Sequence, residues 1–241
     1  MEFNDFERMV NEKEAVVQAS FPAVMRKVYL WMTLALIITA ITSFGVATSP
    51  ALFNAIVSSK VLFFGIIIAE VALVWGVSAS IHKLSLTTAT LLFILYSVLN
   101  GITLSFIFIA YSISVVSKVF FITAGTFAAM AFIGYTTKKD LSGMGKILTM
   151  GLIGLIIASL VNMFLRSTGF EYILSYVGVA IFVGLTAYDS QKIRQLTTNA
   201  IMAGESEVTV QKYALLGALS LYLDFINLFL YLLRIFGNSR N

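Results

Sequence analysis

Seven long apolar runs, each nearly free of charge, alternate with short polar breaks along the chain. They cover residues 28–47, 61–80, 86–110, 119–135, 147–165, 172–188 and 214–233. Each has roughly 17 to 25 residues, the length at which a helix rising about 1.5 Å per residue crosses the hydrocarbon core of a bilayer. The breaks carry turn or charge signals: Ser49-Pro50, Ser58-Ser59-Lys60, His82-Lys83, Ser117-Lys118, Lys138-Lys139-Asp140 and Arg166-Ser167-Thr168-Gly169. Such breaks imply hairpin connections. Only the stretch from Asp189 to Tyr213 reads as a longer loop, although its Gln191-Lys192-Ile193-Arg194 segment also suits a prolonged sixth helix. The helices of a soluble bundle would each show a polar face, and barrel strands would alternate over ~10-residue segments. These runs do neither, so the pattern predicts an all-α integral membrane protein with seven transmembrane helices.

Composition agrees with this pattern. Hydrophobic residues make up 59% of the chain and charged residues 12%, against roughly 25% charged in a soluble domain, and the mean hydropathy is +0.93. Seven spans of ~20 residues use roughly 140 positions. The remainder of the 241 residues suffices for connections, a polar amino-terminal arm (1–27) and a short tail (238–241) around one transmembrane domain (28–237). With no cysteine, thiolate catalysis, disulfides and thiolate metal sites are excluded, and the single histidine, His82, excludes any site needing two imidazoles. The net charge of +4 comes from basic residues scattered between apolar blocks, which argues for positive loops on a membrane protein and against nucleic acid. The arm carries Glu2, Asp5, Glu7, Glu12 and Glu14, the wrong sign for a signal-peptide start, so the first span is expected to remain as an anchor. On alternate sides of the seven spans, Lys and Arg number eleven and five. The side holding Arg26, Lys27, Lys138 and Lys139 is the richer one, which predicts a cytoplasmic amino terminus and a carboxyl terminus outside.

Within the seven runs only Glu70 and Asp224 are ionisable acids or bases. A charge at mid-bilayer costs about 2.5–3.5 kcal/mol on insertion scales, so such residues face a bundle interior or a wet path. Ser220, Asn227 and Tyr231 stand at i−4, i+3 and i+7 from Asp224 and share its face, whereas Leu221, Phe225, Leu228 and Leu232 take the other. This predicts an interior seventh helix. Asp189 follows directly on the sixth run, at the inner end of its helix, and spacing does not bring it to Asp224. If the two do meet, a pair of carboxylates in a low dielectric shares one proton. Protonated, the pair closes as a hydrogen-bonded clasp; deprotonated, it repels and offers hard oxygens to a divalent cation such as calcium. Gly145-Lys146 lacks the surroundings of a phosphate loop. Neither an enzyme nor a cofactor is expected.

Four segments carry a family likeness: Asn100-Gly101-Ile102-Thr103-Leu104-Ser105, Lys138-Lys139-Asp140-Leu141-Ser142, Tyr188-Asp189-Ser190-Gln191-Lys192-Ile193, and Ala218-Leu219-Ser220-Leu221-Tyr222-Leu223-Asp224-Phe225-Ile226-Asn227-Leu228-Phe229. Together they resemble the transmembrane Bax inhibitor motif (Bax-inhibitor-one) family, in its bacterial type, over about residues 26–237. The resemblance implies a central carboxy-terminal helix wrapped by the other six. It also implies a pH-sensitive calcium leak with its sensor at the positions of Asp189 and Asp224, where calcium would bind transiently. An acid on the second helix is typical of the family, so Glu70 joins Ser220 and Asn227 as a pore-lining candidate. The arginine that latches the aspartates in channel-like members is missing here. Ser80-Ile81-His82-Lys83 stands at that place, and either His82 or Lys83 substitutes or the gate works differently. The setting implied is the lipid bilayer of a bacterial inner membrane. Two other expectations stay open: a regulatory protein whose acidic arm, Glu2 to Glu14, binds another membrane protein such as a protease, and a proton-coupled transporter.

Overall fold

The computed structural model describes residues 3–237, with side chains from Ser20 onward. The acidic arm from Glu2 to Glu14 and the tail 238–241 lie outside the described side chains. The chain forms α1 (Phe3–Ala47), α2 (Pro50–Ser58), α3 (Lys60–Ser80), α4 (Leu86–Leu104), α5 (Ile107–Ala110), α6 (Ile113–Thr136), α7 (Ser142–Leu165), α8 (Thr168–Met202) and α9 (Glu207–Phe236). No strand occurs among the described residues. Seven stretches are long and apolar enough to cross a membrane: Ser20–Ala47 within α1, α3, Leu86–Ala110 comprising α4 and α5, and each of α6 to α9.

Serines define most of the helix starts. Ser59, Ser85, Ser112, Ser167 and Ser206 each accept from a backbone N–H one turn into α3, α4, α6, α8 and α9. Each cap satisfies a donor that a bilayer could not. Pro50 opens α2, a position where its missing N–H costs nothing.

The sequence-based loop from Asp189 to Tyr213 is instead helix almost throughout. α8 continues to Met202 and α9 begins at Glu207, so the connection is only residues 203–206. Hydropathy falls at Asp189 because polar residues enter the sequence there, but nothing breaks the backbone until Gly204, whose φ of +74° ends the helix in the left-handed region. Ser206 then caps α9. Asp189 is therefore an interior residue of a 35-residue helix and does not stand at its end.

The last helix is the most enclosed. Within its apolar window 67% of residues are buried, against 6% for α3 and α7, which places α9 inside the bundle and those two at its lipid face. Direct packing on α9 comes from α8, α1, α6 and α4, while α3 lies against α4 and α7 against α8. The outer helices expose Trp75, Phe164 and other large apolar side chains, as expected where the solvent is hydrocarbon.

α8 is gripped on both sides of Asp189 through missing side chains. A Cβ on Gly134 of α6 would collide with the Ala187 backbone, and one on Gly145 of α7 with the Tyr188 ring. Backbone at Ala187 cannot move aside as a flexible side chain can. Replacing Gly134 with Ala should therefore cost about 1–3 kcal/mol by overpacking and lower the thermal midpoint of the purified protein in detergent. An unchanged midpoint would show that α6 and α8 are not held at this distance.

Candidate functional site

The short α8–α9 hairpin puts Asp189 and Asp224 on neighbouring helices, within electrostatic reach of one another. Asp189 stands 13 residues before Met202 and Asp224 17 residues after Glu207. At about 1.5 Å per residue the two lie roughly 20 and 26 Å from the turn, on neighbouring antiparallel helices. The Asp224 carboxyl is buried at 4% exposure, and Asp189 is the charged group acting on it. Asp224 Oδ2 is fully enclosed with no hydrogen-bond partner among the described residues. On Asp189 the acting cation is Lys192, one turn along the same helix, whose Nζ sits 5.7 Å from the centre of the Tyr188 ring.

The polar stripe around Asp224 packs toward α8. Tyr231 stacks on Phe182 at 5.8 Å between ring centres. Asn227 donates Nδ2 to the Leu223 carbonyl at 2.8 Å, and Ser220 is half-buried. Below the pair, Gln191 ties α8 to the polar turn between α6 and α7. Its Oε1 accepts from Leu141 N–H at 2.8 Å, and its Nε2 donates to the Lys139 carbonyl at 2.8 Å. In the same turn Asp140 accepts from Ser142 N–H at 2.9 Å, and Ser142 holds the Asp140 carboxyl below its ordinary range. The Lys138 to Ser142 motif is thus a fastening for α8 two residues beyond Asp189. Nothing in its sequence identified Gln191 as the partner, because the bonds cross about 50 positions of chain.

Glu70 belongs to a different cluster. Thr103 donates Oγ1 to Glu70 Oε1, and Asn100 stands one turn before Thr103 on α4. Asn100 Oδ1 in turn accepts from Tyr222 Oη at 3.0 Å. Tyr222 Oη lies 2.6 Å from Thr39 Oγ1, and Thr39 donates to the Ser97 carbonyl at 2.9 Å. This row joins α1, α3, α4 and α9. Tyr222 and Asp224 are two residues apart on α9, which at about 100° per residue turns them to opposite sides of the helix. The structure does not bring Glu70 to the aspartates.

His82 and Lys83 lie in the α3–α4 turn beside the first turns of α9. The His82 carbonyl accepts from Lys212 Nζ at 3.4 Å, and its ring meets Tyr213 edge-on at 5.7 Å. Neither is within the surroundings of Asp189 or Asp224. Lys192, at i+3 from Asp189 on α8, is instead the cation that acts on that carboxyl. Among the described residues no three His, Cys, Asp or Glu side chains gather as a metal centre.

Comparison with known proteins places this geometry in context. The profile of the family described as Inhibitor of apoptosis-promoting Bax1 (Bax1-I) matches residues 22–241. The chain is 48% identical over 229 residues to the inner membrane protein YbhL of Escherichia coli strain K12, covering 94% of this chain and 97% of that one. It is 44% identical over 230 residues to an uncharacterized protein of Borreliella burgdorferi, covering 95% and 97% of the two chains. It is 40% identical over 219 residues to one of Rickettsia prowazekii, covering 90% of each.

The row through Tyr222 yields a direct test. Tyr222→Phe keeps the ring but leaves Asn100 Oδ1 without its Tyr222 donor in a buried setting, which should cost about 1–3 kcal/mol and lower the thermal midpoint. A midpoint equal to the wild type would show that the hydroxyl is not a structural bridge.

Proposed function

The chain belongs to the Bax1-I family, and on that premise we propose that it is a pH-sensitive cation leak pathway, with calcium as the permeant ion, gated by a proton shared between Asp189 and Asp224. The observation that supports this reading is the enclosed, unpartnered carboxyl oxygen of Asp224 on α9, with Asp189 of the adjoining α8 acting on that carboxyl. Two like charges in such a site repel strongly, whereas a single shared proton turns repulsion into a hydrogen bond.

The sign of the pH dependence follows. At low pH the proton is present and the clasp holds α8 against α9. As pH rises the proton leaves, the second negative charge appears, and the helices part. Flux therefore increases with pH. The bared oxygens are hard ligands suited to calcium, but with no third acid gathered beside them among the described residues they bind it in transit and do not retain it. In this reading the protein is not an enzyme and needs no cofactor. Its setting is the bacterial inner membrane, in line with the location in the name of the Escherichia coli relative. Its amino terminus is cytoplasmic, in line with the excess of Lys and Arg on that side.

Calcium flux into liposomes holding the purified protein, followed from mildly acidic to mildly alkaline pH, tests the gate. Wild-type flux should rise with pH, and Asp224→Asn and Asp189→Asn should each flatten that rise near the acid-side level. Flux no greater than in empty liposomes, or a pH response indifferent to both substitutions, would overturn the gate and favour a regulatory protein acting through the arm from Glu2 to Glu14. Saturable uptake coupled to proton flow would favour a transporter instead.

A further inference from the structure

Beside Phe225 of α9, the bundle is open at its surface. α1 and α6 do not pack closely along their length, and between them runs an apolar groove of about 640 Å³. Its walls extend from Pro22 and Tyr135 at one end to Leu36 and Phe120 at the other, and Phe225 of α9 forms part of its floor. From Pro22 to Leu36 the groove covers 14 residues of α1, about 21 Å by helix rise, compared with about 15 Å for one leaflet of a bilayer core. Ala124 and Ala128 keep its α6 wall low, and Phe132 on the rim is 66% exposed.

At its Tyr135 end the groove meets a second cavity of opposite character. This one, about 730 Å³, lies at the end of α6 and is lined by Thr136, Lys138, Arg194, Gln195 and Asn199, with Tyr135 common to both. The stacked rings of Phe21 and Tyr135, 5.8 Å apart, stand between the two. Arg194 donates Nη1 to the Tyr135 carbonyl at 2.7 Å and lies over the Tyr135 ring, so its guanidinium is held at the junction with the remaining N–H groups unassigned among the described residues. Asp140 also lines this cavity, but Ser142 engages its carboxyl and Lys146 acts on it.

We propose that these two adjoining cavities form one binding site for an anionic glycerophospholipid, with an acyl chain in the groove between α1 and α6 and the phosphate against Lys138 and Arg194. An apolar slot that opens sideways into hydrocarbon is filled by hydrocarbon, since water gains nothing there. A cluster of two cations with amide and hydroxyl groups at the end of that slot is what distinguishes a built site from the general lipid shell. Guanidinium and ammonium groups bind phosphate oxygens through charge-assisted hydrogen bonds, and the positions fit the headgroup level because Thr136 ends its helix there. The proposal does not depend on the gating proposal.

The full-length protein in detergent can be titrated with phosphatidylglycerol, with phosphatidylethanolamine, with diacylglycerol of the same chains, and with inorganic phosphate, reading the thermal midpoint. Phosphatidylglycerol should raise the midpoint saturably, while diacylglycerol and phosphate alone should not and phosphatidylethanolamine should bind more weakly. Ala128→Trp, which fills the groove from its exposed side, should abolish the shift. Lys138→Gln, a surface change that leaves the bundle intact, should weaken phosphatidylglycerol binding by about tenfold. A response equal for phosphatidylglycerol and diacylglycerol, or for phosphatidylglycerol and phosphatidylethanolamine, would overturn the proposal. So would a shift reproduced by phosphate alone, or one unchanged in both variants.

Discussion

A carboxyl group buried inside a membrane bundle has no water to turn to, and the placement of Asp224 sets the terms for the helices around it. The helix that carries it has the largest buried share of the seven spans, and its neighbour α8 carries a second acid that acts on it. Their offset along the hairpin is set by the four-residue connection between Met202 and Glu207. A longer loop would let the two helices slide. Gly134 and Gly145 then hold α8 close to α6 and α7 on either side of Asp189, and Gln191 fastens it to the turn ahead of α7. Several unrelated contacts thus converge on one helix segment.

The two sides of α9 do different things. Toward α8 it presents Asp224, on which Asp189 acts, with Asn227 and Tyr231 on the same stripe, the last stacked on Phe182. Away from α8 it presents Tyr222, whose hydroxyl lies between Thr39 of α1 and Asn100 of α4, and α4 in turn reaches Glu70 of α3 through Thr103. The second arrangement is a fixed polar network, with the cohesion that buried hydrogen bonds confer when each member has a partner. The first leaves an oxygen without one. Opening at the α8 side would therefore leave the α1–α4–α9 network in place, so that a moving part and a fixed part meet along a single helix.

Much of this was legible in the sequence. Seven apolar runs gave seven spans, and the i−4, i+3 and i+7 company of Asp224 pointed to an interior seventh helix. The likeness carried by the segment from Ala218 to Phe229 pointed to the family. The sixth and seventh spans were less legible. Hydropathy marks where a helix leaves hydrocarbon and not where it ends, so α8 reads as stopping at Tyr188 although the helix continues to Met202, ahead of Gly204. The Gly204 and Ser206 pair carried the better signal, a left-handed stop followed by a cap. Partners distant in sequence were not legible either: neither Gln191 with Lys139 nor Tyr222 with Thr39 follows from any spacing rule. The face on which Glu70 sits depended on the packing of α3 against α4, which periodicity in an all-apolar helix does not report.

The shared proton is the claim on which the gating account rests, and infrared spectroscopy of the reconstituted protein reads it directly. A protonated carboxyl has a carbonyl stretch distinct from that of carboxylate, so titrating wild type, Asp189→Asn and Asp224→Asn follows the proton without reference to flux. The account predicts one protonated-carboxyl band that disappears over the pH range in which flux rises and that is lost or displaced in both single variants. A band that responds to only one substitution, or no titrating band at all, would mean that the two aspartates ionise independently and that the clasp does not exist.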